Sequence, residues 1–185
     1  MILDGVGVQL MTMKLIFCLA LLMVSVGCGR PAVNSQPPQV ALVSAQQLLS
    51  LVAESTNSVT MLHFWATWCS PCVEEFPDVM TLADTYRQRG LKVILVSADA
   101  EKDLDAVNRF LSDHHVKEKT YMASNLNDDF IKTISTNWSG GIPASFYYTH
   151  GATPVEWHEG PRPFATHEQT VLKMLNQQHN GGMVR

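Results

Sequence analysis

Apolar positions fall into three regimes along the chain. From Leu15 to Val26 they run almost without a break, over residues 29–40 they are sparse, and after that they recur with the periods of helices and strands. The first periodic segment, SAQQLLSLVAES, reads as a short helix opened by a capping box of Ser44 and Gln47. Val59 to Trp65, VTMLHFW, is an apolar run rich in β-formers and suits a buried strand. Helical spacing resumes at Ser70 and lasts to Arg89, where Gly90 supplies a stop. Pro77 falls inside that helix, removes a donor and crowds the preceding turn, so a kink is expected there. Leu91 to Ala98 reads as a second buried strand. Glu101 to His115 is an amphipathic helix with Leu104, Val107, Phe110 and Leu111 on one face. Asn127 to Ile134 reads as another helix. Residues 144–160 hold two strands about a turn at His150-Gly151, and a last helix begins near Thr166.

Strands joined through helices must run parallel with right-handed crossovers, whereas the final two form an antiparallel hairpin. The expected fold is therefore α/β, a mixed central β-sheet flanked by helices on both faces. It occupies residues 41–180, with 181–185 as a tail.

The first regime has another meaning. Lys14 precedes an apolar stretch that is short for a spanning helix, which needs roughly 20 residues. A charged start, an apolar middle and a small residue at Gly27 have the layout of a signal peptide over residues 1–28. Residues 1–12 contain Asp4 and no basic residue, so Met11 or Met13 makes a better signal start. Ser25-Val26-Gly27-Cys28 resembles a bacterial lipobox, with Ser25 where leucine is commonest; the resemblance implies lipid attachment at Cys28. Plain secretion, or an anchor that stays uncleaved, is the alternative. Residues 29–40, rich in Pro, Asn, Ser and Gln, read as a flexible linker. Gly29 follows Cys28 in place of the aspartate that often retains lipoproteins at an inner membrane. Inner and outer membranes both stay open.

Composition narrows the remaining choices. Of 185 residues 46% are apolar, enough for a core, and 16% are charged, too few for extended disorder. A net charge of −4 offers no attraction for nucleic acid. Four cysteines, at 18, 28, 69 and 72, are too few for a disulfide scaffold in a chain of this length. With the leader removed, Cys69 and Cys72 are the thiols left in the folded part.

Those two lie in Trp68-Cys69-Ser70-Pro71-Cys72, where a buried strand gives way to a helix. Cys69 falls at the helix N-terminus, where unpaired N–H groups and the macrodipole favour a thiolate. A two-residue spacer in a first turn brings the sulfurs within bonding reach, and Pro71 is tolerated there. Cys69 is the expected attacking thiol and Cys72 the resolving one. A structural zinc site needs about four ligands, and neither a second CxxC nor an HxxxH is present. The histidines at 114, 115, 150, 158, 167 and 179 fall on expected helix ends and loops and read as solvated or packed. No metal site and no organic cofactor is expected, only a redox-active Cys69-Cys72 disulfide.

WCSPCVEEFP, with Pro77 in the helix, resembles the thioredoxin superfamily over residues 41–180. Gly140-Gly141-Ile142-Pro143 before the strand ASFYY strengthens the likeness, because it implies a cis Ile142-Pro143 bond facing the CxxC. Glu75, the helix near Asp103–His114 and Trp138-Ser139-Gly140-Gly141 resemble the membrane-tethered TlpA/ResA/CcmG-like branch. That resemblance implies a thioredoxin-like fold and an extracytoplasmic thiol–disulfide oxidoreductase. It would reduce disulfides of exported proteins, apocytochrome c among them, with electrons from a membrane thiol donor. It would be a periplasm-facing lipoprotein of a bacterial envelope, and a monomer. A disulfide oxidant of the same fold and a non-catalytic copper-handling protein are the alternatives.

Two groups are expected to handle protons. Glu75 lies three residues beyond Cys72 on the same helix face, where a partly buried carboxylate can exchange protons with the thiol. His63, on the strand face shared with Met61 and Trp65, is either the inner proton acceptor for Cys72 or a core histidine bonded to a backbone carbonyl. Trp65, Trp68, Trp138 and Ile142 are expected at the rim. Trp68, Ser70, Pro71, Ile142 and Pro143 are the expected substrate-binding positions.

Overall fold

The computed structural model describes residues 39–181; the leader, Cys28 and most of the linker lie outside them. Six strands are present: β1 (Val40–Val43), β2 (Val59–Trp65), β3 (Leu91–Ser97), β4 (Thr120–Ala123), β5 (Ala144–Tyr148) and β6 (Glu156–Glu159). Five helices accompany them: α1 (Ala45–Ala53), α2 (Ser70–Tyr86), α3 (Leu104–Asp113), α4 (Asp128–Ile134) and α5 (Phe164–Gly181). The sheet order is β1-β4-β3-β2-β5-β6. The first four strands in that order pair in parallel, whereas β5 and β6 run antiparallel to their neighbours.

Local chemistry explains most boundaries. Ser44 caps α1 reciprocally with Gln47, as its sequence implies. Gly90 ends the turn after α2 with φ of 98°, a left-handed conformation that glycine adopts without strain. Helix α2 runs on through Pro77 to Tyr86, and a 3₁₀ turn over Arg87–Arg89 completes the segment read as helical. Two strands were not foreseen. β1 and β4 are four-residue runs, VALV and TYMA, too short to display a period, and they are strands because each pairs with the other. Val40 accordingly belongs to the sheet rather than to the linker.

Each face of the sheet carries a separate core. Met61 and Trp65 of β2 point to the face covered by α2, α3 and α5. Leu62 and Phe64 point to the opposite face, covered by α1 and α4. Burying a side chain of this size contributes about 1.5–3 kcal/mol. Trp65 lies between Phe76 of α2 and Phe110 of α3, with ring centroids 4.9 and 4.7 Å away. This aromatic cluster clamps α2 and α3 to the sheet four residues from Cys69. It also places Trp65 in the core rather than on a rim. Trp138 is buried too, on the opposite face, with its ring 4.6 Å from Phe64.

Candidate active site

The central strands end at one edge of the sheet, and α2 begins there. Cys69 is the N-cap of α2 and is joined to Cys72 by a disulfide. The Cys72 N–H points at Cys69 Sγ from 3.3 Å. An N–H so placed, with the dipole behind it, stabilises a thiolate at Cys69 once the bond is reduced. Cys69 is 6% exposed and Cys72 fully buried, so an incoming sulfur meets Cys69 first. Trp68 beside it is 67% exposed, a large apolar surface that the fold leaves open. Ser70 and Pro71 are exposed in the first turn.

Two loops hold this corner. Asp99, buried just beyond β3, accepts from the Thr67 N–H at 3.0 Å, the Thr67 hydroxyl at 2.5 Å and the Ser97 hydroxyl at 2.7 Å. It thereby pins the segment that leads into Trp68 and Cys69. On the other side the Ile142-Pro143 bond is cis, and the Ile142 carbonyl oxygen lies 3.7 Å from Cys69 Sγ. In the dithiol that carbonyl is within reach of the S–H. The loop is itself tethered. Trp138 donates its Nε1–H to the Gly141 carbonyl at 2.9 Å, and the Gly160 N–H donates to the Pro143 carbonyl at 2.8 Å. Glu159 accepts from the Ser139 N–H at 3.1 Å and from its hydroxyl at 2.5 Å.

A buried polar layer lies under α2, between that helix, β5, β6 and α5. Glu75, 5% exposed, contacts Nε2 of His167, which is 1% exposed on the first turn of α5. The Nδ1 of the same ring lies 2.5 Å from the Tyr147 hydroxyl. Burial raises the Tyr147 pKa, assisted by Glu75 and Glu156, so the phenol keeps its proton and can donate it to the ring. His167 is thus an imidazole bridge between a phenol and a carboxylate. The second carboxylate oxygen, Glu75 Oε2, is buried with no partner among the described residues.

His63 is fully buried on the same face. Its Nδ1 lies 2.9 Å from the Ser145 hydroxyl, a side-chain partner rather than a backbone carbonyl. Desolvation, with His167 and His158 adding to it, pulls its pKa down to about 3. His158 of β6 is half-buried, and desolvation followed by His167 and Arg162 lowers its pKa to about 4. Glu75, His158 and His167 each bring one ligand atom to within 4.8 Å of the others. Both histidines were expected as solvated or packed residues of helix ends and loops. His158 lies half-buried on the second strand of the expected hairpin, and His167 belongs to the buried stripe of α5 that continues through Val171 and Met174. Sequence spacing hides this cluster because its members come from three elements.

The mixed sheet, the disulfide at the start of α2 and the facing cis-proline define a thioredoxin-like protein. The chain belongs to the Redoxin family, whose pattern matches residues 32–147. It is 34% identical over 95 residues to the thiol-disulfide oxidoreductase ResA of Bacillus thuringiensis strain Al Hakam, covering 51% of each chain. The chain spans about half the length of the curated relatives it matches. Among solved structures it resembles a putative thiol:disulfide interchange protein DsbE from Chlorobium tepidum. That likeness has a TM-score of 0.53 and 28% identity, over 76% of this chain and 95% of the other. A thioredoxin family protein from Chlorobium tepidum TLS superposes with a TM-score of 0.56 at 22% identity, over 77% and 99% of the two chains, and supports the fold.

Proposed function

We propose that the chain is a thiol–disulfide oxidoreductase that reduces disulfides of exported proteins, apocytochrome c among them. The observation that carries this reading is the disulfide at the N-terminus of α2, with Cys69 the more accessible sulfur and the Ile142 carbonyl 3.7 Å from it. In the dithiol state the Cys69 thiolate attacks a substrate disulfide. One substrate sulfur leaves as a thiolate and takes a proton, and a mixed disulfide remains. The substrate backbone lies against Ile142 and Pro143, with Trp68, Ser70 and Pro71 bounding its path. Cys72 then gives its proton to Glu75 and attacks Cys69 Sγ. The second substrate thiol is released, and the Cys69-Cys72 disulfide forms. Two electrons have passed to the substrate, so a membrane thiol donor must restore the dithiol.

Glu75 is the proton acceptor in this reading. It shares a helix face with Cys72, and its Oε2 is buried without a hydrogen-bond partner among the described residues. His63, with its pKa drawn to about 3, stays neutral between pH 6 and 8 and acts through packing and Ser145. The resemblance of Ser25-Val26-Gly27-Cys28 to a lipobox supports a lipid anchor at Cys28 on a periplasm-facing protein. Among the described residues no helix is long and apolar enough to cross a membrane.

The reduction potential tests the direction of electron flow. Equilibration in glutathione or dithiothreitol buffers should give a value near or below about −250 mV, as for a donor-fed reductant. A value near about −120 mV would make the protein an oxidant and overturn the proposed direction.

A further inference from the structure

We propose that Glu75, His158 and His167 form a binding site for one divalent ion of the zinc class, set beneath the redox disulfide. Three elements build it: Glu75 on α2, His158 on the edge strand β6 and His167 on the first turn of α5. Their ligand atoms already lie within 4.8 Å of one another. Around a tetrahedral ion with ordinary zinc bond lengths, ligand atoms sit about 3.3 Å apart. Side-chain adjustments of about an ångström therefore close the set. Two imidazoles and a carboxylate, with a fourth position left for water, are a common donor set for zinc.

Unpaired atoms point the same way. Glu75 Oε2 and His158 Nε2 are both buried without a hydrogen-bond partner among the described residues. Burying a carboxylate oxygen and a ring nitrogen with nothing to bond is costly, and an ion between them would satisfy both. The outer layer is also in place. With an ion bound, the ring proton of His167 sits on Nδ1 and is donated to the Tyr147 oxygen, which frees Nε2 for the metal and fixes the ring. The Arg162 N–H, 3.4 Å from Glu75 Oε1, steadies the carboxylate. His158, half-buried on the edge strand, marks the route from solvent. The Arg162 side chain is exposed, so water screens its repulsion of a dication. The site belongs to the oxidised chain, in which Cys72 has no proton to give and Glu75 can hold the ion, and it stands whether or not the cysteines reduce disulfides.

The test uses the untagged full chain with its disulfide intact, so that neither active-site thiol can act as a ligand. Zinc chloride is titrated by calorimetry, and cobalt(II) chloride is followed by its visible absorption. One ion per chain with a tetrahedral cobalt spectrum is expected. His158→Ala and Glu75→Gln should each weaken binding at least tenfold, whereas His114→Ala, at the C-cap just past α3, should leave it unchanged. His158 lies partly exposed at the sheet edge, so its variant tests the site even if His167→Ala fails to fold. No binding by the oxidised chain would overturn the proposal. So would equal affinity in His158→Ala, or binding that appears only after the disulfide is reduced.

Discussion

Acidification from pH 7 to pH 5 should cost the oxidised protein about 2 kcal/mol of stability through His63 alone. His63 has a pKa of about 3 in the folded state against 6.5 for a solvent-exposed histidine. Between those two values the unfolded chain binds a proton that the folded state refuses. The contribution of His63 is therefore fully present above pH 6.5 and is lost as the pH falls towards 3. Each pH unit inside that window is worth about 1.4 kcal/mol, and pH 5 lies about one and a half units below its upper end. His158, lowered to about 4, acts in the same direction with a smaller share because it is partly exposed. The assay is urea unfolding at pH 7, 6 and 5 with the disulfide intact, on the natural chain and on His63→Gln. The amide of glutamine can still bond the Ser145 hydroxyl but does not titrate. The natural chain should lose about 2 kcal/mol more than the variant between pH 7 and pH 5. Parallel losses in the two proteins would show that a buried neutral His63 is not the source of the acid sensitivity.

Other outcomes follow from the site. Glu75→Gln should slow disulfide exchange about a hundredfold at the resolving step. The mixed disulfide would then accumulate, visible by mass spectrometry after acid quench, and an unchanged rate would remove Glu75 from the mechanism. Asp99→Ala leaves the Thr67 N–H and two hydroxyls without their acceptor and should destabilise the fold by about 2–3 kcal/mol in chemical denaturation. A loss below about 0.5 kcal/mol would mean that water replaces the carboxylate. Gly140→Ala places a Cβ 2.6 Å from Ile131 Cδ1 at a φ of 91°, and should cost about 1–2 kcal/mol by the same assay. A neutral effect would show that the loop before Pro143 can relax.

The redox pair was legible because its chemistry is local. A capping position, a two-residue spacer and a proline in the first turn lie within a few residues of one another, so the string WCSPC carries the geometry. The same holds for the α1 capping box and the Gly90 stop. The two short strands were not legible. VALV and TYMA are strands because they face each other across 80 positions of chain, at Val40 and Thr120. The second functional layer was half-legible. His167 lies on the helical stripe with Val171, Met174 and Leu175, which marks it as inward-facing. His158 alternates with Trp157, whose ring stacks on Phe146 on the other face of the sheet. Periodicity therefore shows that both histidines point inwards, on the side opposite Trp157, but not that they meet.

By itself the sequence determined a mixed α/β fold, a cysteine pair at a helix start and a proline-led strand opposite it. Each of these depends on residues close in the chain, where backbone preference and periodicity act directly. Tertiary structure alone decided what surrounds Glu75. Pairing β6 to β5 and packing α5 over them brings His158, His167 and Tyr147 beneath α2, from positions more than 70 residues away in the chain. Burial then lowers the His158 pKa, raises that of Tyr147, and leaves Glu75 Oε2 and His158 Nε2 without partners among the described residues. Whether a carboxylate passes protons or holds an ion depends on that enclosure, a property of packing that no local pattern encodes.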